Sequence, residues 1–122
     1  MLYHLTTHEE WDRACQAEMA GSYVASSLVD QGFIHLSQPS QLLLAADSHY
    51  RHRADLVVLV IDQEVLDPAA LVFEAGSAPN AHRIFPHLYG PLPLSAVRAV
   101  VPFPCGSDGH FAWPLALGED PG

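Results

Sequence analysis

The sequence predicts one α+β domain with a mostly antiparallel or mixed sheet. Three observations support this class. The 122 residues suit one domain, and a composition of 49% hydrophobic and 16% charged residues belongs to a packed chain. Helical patterning falls early and strand patterning late. No regular alternation of strand and helix marks a parallel sheet. A chain of this length buries roughly two thirds of its unfolded surface, so neither a disulfide nor a metal is needed for folding.

Met1–Leu5 reads as a short strand. Thr7-His8-Glu9-Glu10 has the spacing of a capping box, and Trp11, Ala14, Cys15 and Met19 follow at helical intervals up to Gly21. Tyr23–Leu28 reads as extended or irregular, and Asp30-Gln31-Gly32 as a turn. Phe33–Leu36 is a strand with Phe33 and His35 on one face and Ile34 and Leu36 on the other. Ser37 is placed to cap a helix with Pro39 in its first turn and Leu42, Leu43, Ala45, Ala46 and Tyr50 along it.

Asp55–Asp62 is a nearly continuous apolar run, so the strand is expected to be covered on both faces. Leu71–Glu74, Ile84–Tyr89 and Val97–Phe103 are further strands, separated by a Gly, Ser, Pro and Asn loop and by a turn between Pro91 and Pro93. Residues from about 106 to 122 read as a tail with a frayed end. The expected core includes Trp11, Cys15, Leu43, Val58, Val60 and Val100.

Charge excludes several functions. The net charge is −9, and the only five cationic side chains are Arg13, Arg51, Arg53, Arg83 and Arg98. An acidic surface repels polyanions, so no long nucleic acid is expected as a partner, although an arginine could still hold one phosphate. No apolar run is long enough to span a bilayer and no leader is readable, so no membrane partner and a cytoplasmic location are expected. Cys15 and Cys105 lack C-x-x-C spacing, which fits a reducing compartment and gives no sulfur-rich zinc site. Phosphate-cradling, serine-hydrolase and zincin motifs are absent from the sequence.

Eight histidines are many for this length, and three have informative neighbours. His4 ends the first strand before a helix N-terminus. His35 sits on an apolar strand just ahead of Ser37. His87 lies in Phe85-Pro86-His87-Leu88-Tyr89-Gly90-Pro91, where prolines and a glycine stiffen the backbone. Each also has a plainer reading: a satisfied core histidine for His35, an edge-strand residue for His4, a packed turn for the segment around His87. Glu74 is the one acid in an apolar strand and is costly to bury unpaired, so it is either exposed at the strand end or partnered, for instance by a histidine. The expected site has His35 and His87 facing one cleft with Ser37 at its rim.

The ordered set LYHLTT, GFIHLSQPSQ, DLVVLVID, FE and FPHLYGPL resembles a small bacterial family known as domain of unknown function 952, over about Leu2 to Val101. That family is considered similar in structure to ADP-ribosyltransferases. The resemblance implies a split, mixed β-sheet with two or more flanking helices and a cleft of the kind that binds NAD. It implies that His4 holds a ribose, that the His35 segment lines the cleft, and that a late glutamate, Glu74, orients the ribose for glycosidic cleavage. On this reading His35, His87 and Glu74 are catalytic candidates, and His4, Ser37 and Tyr89 bind a nucleotide or other ribose-bearing small molecule.

Three functions compete: an enzyme of ADP-ribosyltransferase type, a binding module that keeps the cleft without the chemistry, and a metal site built from the histidines and Glu74. The first two lead to an expectation that imidazolium groups contact phosphate, that binding weakens as pH rises, and that no divalent metal binds tightly.

Overall fold

The computed structural model describes residues 1–16, 21–76 and 78–118. Its axis is strand β4 (Leu56–Ile61), the apolar run singled out above. It pairs antiparallel with β1 (Leu2–Thr7) on one side and β8 (Val97–Pro102) on the other. Alternation along β4 feeds two cores. Val57, Leu59 and Ile61 join Leu2, Tyr23, Ile34, Leu36, Leu88 and Leu92 on one face. Leu56 and Val58 join Tyr3, Leu5, Leu42, Ala46, Val101, Phe103 and Phe111 on the other. The expectation of a strand covered on both faces therefore holds.

A second sheet has the order β3 (Ile34–His35), β6 (Ile84–Leu88), β5 (Leu71–Ala75). Tyr3 and Ser37 exchange backbone hydrogen bonds of 2.9 and 2.8 Å, which seams this sheet to the free edge of β1. A short ribbon of β2 (Ser22–Tyr23) with β7 (Leu92–Pro93) closes one end. Every strand pair among the described residues is antiparallel, so the sheet is split but not mixed.

Helix α1 (His8–Gln16) starts where predicted: the Glu10 amide donates to Thr7 Oγ1 at 3.1 Å. Glu10 does not reach back to complete the box; its carboxylate accepts from Thr6 Oγ1 and the Ser26 amide instead. Trp11 and Ala14 pack on the core. Cys15 is exposed, because a nine-residue helix lying on the surface turns only one narrow stripe inward. Met19 lies outside the described residues.

Two elements differ from expectation. Ser26–Gln31 is a helix, α2, ended by Gly32 at φ 89°, whose amide bonds the Ser27 and Leu28 carbonyls. Ser37 caps nothing, since its backbone is held in the bridge to Tyr3; a 3-10 turn at Pro39–Gln41 leads instead into α3 (Leu42–His49). Val100 is 39% exposed on the edge strand β8, and its neighbour Val101 is the buried one. Val58 is fully buried, while Leu43 and Val60 are half-buried against the second core. No helix among the described residues is long and apolar enough to cross a membrane.

Candidate functional site

Strand parity builds the site. On β1, Leu2, His4 and Thr6 share a face: Leu2 enters the first core, and the next two positions carry polar groups along the same line. On the second sheet Ile34 and Leu88 are buried in that core, so their neighbours His35 and His87 turn to the opposite face. They are direct cross-strand partners, with ring centroids 5.3 Å apart. His4, Thr6, His35, Ser37 and His87 all line one cavity of about 420 Å³, with Glu10, Tyr23, Gln31, His49 and Asn80 among its other polar residues.

His87 is 2% exposed, stacked under Phe33 at 4.1 Å with an interplanar angle of 18°. Its Nδ1 donates to Glu74 Oε1 at 2.8 Å. A carboxylate can only accept, so Nδ1 carries the proton, and the neutral tautomer that this bond selects would present Nε2 as a lone pair. That Nε2 is buried and has no hydrogen-bond partner among the described residues. Glu74 also accepts from the Tyr89 hydroxyl. The Tyr89 and His87 hydrogen bonds hold the Glu74 carboxyl below its ordinary pKa, and the same contact raises that of Tyr89.

Neither Glu74 nor Tyr89 lines the cavity. Glu74 stands behind His87 and orients that ring. The acid that does line the cavity is Glu10. Its spacing after Thr7 marked it as a helix cap, and nothing in the sequence says that Ser26 and Thr6 draw its side chain elsewhere. Tyr23, fully buried beneath His4, came from a segment with no readable pattern. Phe33 was legible only as sharing a face with His35, and its ring indeed meets that of His35 at 4.8 Å.

His4 donates Nδ1–H to the His35 carbonyl at 2.7 Å and lies 3.0 Å from the Tyr23 hydroxyl through Nε2. Burial lowers its pKa. His35 hydrogen-bonds Gln31 Oε1 through Nε2 at 2.8 Å. Burial first, and then the neighbouring His87 and His4 rings, push its pKa down to about 4. Among the described residues no lysine or arginine lines the cavity. No three His, Cys, Asp or Glu side chains among the described residues group to hold an ion.

Residues 5–100 match the model of a family described as "Protein of unknown function (DUF952)". The crystal structure of protein CC0527 from Caulobacter crescentus is 33% identical and superposes with a TM-score of 0.75, covering 91% of this chain and 92% of that one. The solution NMR structure of CC0527 is also 33% identical, with a TM-score of 0.69 over 89% of each chain. No functionally curated protein matches.

Proposed function

We propose, from the premise that the chain belongs to the DUF952 family of proteins of unknown function, that its histidine cavity takes a ribose-bearing ligand without phosphate and that His87 accepts a proton there. The observation that carries this reading is the buried, unpartnered Nε2 of His87, a residue of the cavity lining whose ring is fixed from behind by Glu74. A buried polar atom without a partner is costly to the fold and is retained where it serves a ligand.

The volume of about 420 Å³ lies within the range of small-molecule sites. Charge selects among such molecules. With no cationic side chain from lysine or arginine and with His35 neutral above about pH 4, the lining offers hydrogen bonds but little to balance a phosphate. Such a lining favours ligand hydroxyls over the phosphate contact expected from the sequence. The residues fit a nucleoside or the nicotinamide–ribose half of NAD; the pyrophosphate finds no lysine or arginine among the described lining residues.

Under the ADP-ribosyltransferase-like reading expected from the sequence resemblance, glycosidic transfer is the matching reaction class. As the bond from the anomeric carbon to the base breaks, its electron pair leaves with the base. The attacking water or hydroxyl forms the new bond and yields its proton to His87 Nε2. Glu10 is the carboxylate available to the developing oxocarbenium charge.

Ligand-observed NMR with nicotinamide riboside, adenosine and AMP at pH 6 and pH 8, followed by product analysis, tests the reading. We expect saturation transfer from both nucleosides at both pH values, AMP binding no tighter than adenosine, and binding about tenfold weaker in His87→Ala, the cost of one buried hydrogen bond. Transfer without product would leave a binding module. Absence of transfer from all three compounds would overturn the proposal.

A further inference from the structure

A second polar assembly lines the same cavity away from His87. His4 Nε2 lies 3.0 Å from the Tyr23 hydroxyl, which donates to Thr6 Oγ1 at 3.0 Å; Thr6 in turn donates to Glu10 Oε2 at 3.1 Å. These are three hydrogen bonds in a row, and the two hydroxyls supply only two protons. A third proton must sit at one end of the row. We propose that His4, Tyr23, Thr6 and Glu10 form a single-proton relay that serves as the proton store of the cavity. This deepens the function proposed above, since it assigns the return of a proton to the same site.

The relay has two states. In one, His4 carries a proton on Nε2 and donates to Tyr23, Tyr23 donates to Thr6, and Thr6 donates to a Glu10 carboxylate. In the other, Glu10 carries the proton and every hydrogen bond points the opposite way, ending on a neutral His4. Passing between them moves one proton from His4 to Tyr23, one from Tyr23 to Thr6 and one from Thr6 to Glu10. Each hydroxyl keeps one proton throughout, so one proton is transferred from end to end and no charge is left on either hydroxyl. Only Nδ1 of His4 is fixed in both states, because its partner is the His35 carbonyl, which can only accept.

The surroundings suit a conduit. His4, Thr6 and Tyr23 are 6%, 3% and 0% exposed, so water does not compete for their hydrogen bonds. Burial raises the Tyr23 phenol well above its ordinary pKa, so it passes a proton without ionising. The other titratable groups facing His4 across the cavity are His35 on β3, His87 on β6, and His49 and Tyr50 at the end of α3. None of their side chains bonds into the row, and among the described residues Glu10 is the only carboxylate lining the cavity.

Long-range ¹H–¹⁵N correlation spectra of the ligand-free protein read the protonation of each His4 ring nitrogen across pH. Because no ligand is used, a negative result here is separable from failure of the ligand reading. We expect Nδ1 to stay protonated throughout and Nε2 to titrate in one step. Glu10→Gln should lower that midpoint by about one pH unit, since it removes the negative end of the row. Thr6→Val should lower it comparably while leaving the Glu10 charge in place, and Thr6→Ser should restore the wild-type value. A midpoint moved by Glu10→Gln and untouched by Thr6→Val would mean a field acting through space, and would overturn the relay. So would a His4 whose Nε2 midpoint is the same in all four proteins, once amide spectra show each of them folded.

Discussion

A half-buried imidazole flanked by two other histidines resists taking a proton, and His35 shows the consequence: its pKa falls from 6.5 to about 4, chiefly through burial. The unfolded chain, whose histidine titrates near its ordinary value, therefore takes up the proton first as pH falls. Stability that is intact above pH 6.5 is lost between there and about pH 4. Allowing for solvent screening, the loss amounts to roughly 1–2 kcal/mol. Urea unfolding at pH 7.5 and pH 4.5 should show His35→Gln losing less stability on acidification than wild type by that amount. Equal losses would place the sensitivity elsewhere. At this scale the sequence revealed which residues carry polarity in apolar surroundings and not what they meet. Glu74 was readable as an acid in need of a partner. Its partner follows from the pairing of Val72 with His87, which puts Glu74 two residues along the same face, and that register is a tertiary fact.

Elements were legible in proportion to the length of their pattern. Strand β4 has six apolar residues in succession and was read with both covered faces; α1 was read from its cap. Helix α2 has six residues, fewer than two turns, and only Leu28 packs on the core, so no 3.6-residue period can show. Its one signal was Gly32, read as a turn. That glycine stands at φ 89°, where an L side chain is strained, and it closes the helix whose Gln31 holds His35. Open space surrounds the position a Cβ would take, so the cost of substitution is conformational alone. Gly32→Ala should destabilise the protein by about 1 kcal/mol, measured by thermal or urea unfolding. An unchanged stability would mean that α2 ends without help from the left-handed residue.

At the scale of the whole molecule, the net charge of −9 and the histidine cavity are consistent features: the surface turns polyanions away, and the described lining offers hydrogen bonds without a lysine or arginine to what enters. The fold class followed from the order of helical and strand patterns. The seam between the two sheets did not, because a single backbone bridge between Tyr3 and Ser37 leaves no mark on side-chain type. Two hydrophobic clusters share β4 as a common wall, Leu59 facing one and Val58 the other, both fully buried. Neither cluster can lose β4 without exposing the other, so the two should melt as one unit. Leu59→Ala should cost roughly 2–5 kcal/mol and Val58→Ala about 1–3 kcal/mol, each moving a single transition seen alike by circular dichroism and tryptophan fluorescence. Val100→Ala, on the exposed edge of β8, should stay within about 0.5 kcal/mol of wild type. Two separated transitions in either core variant would show that the clusters fold independently, and β4 would then be a boundary between them rather than their shared support.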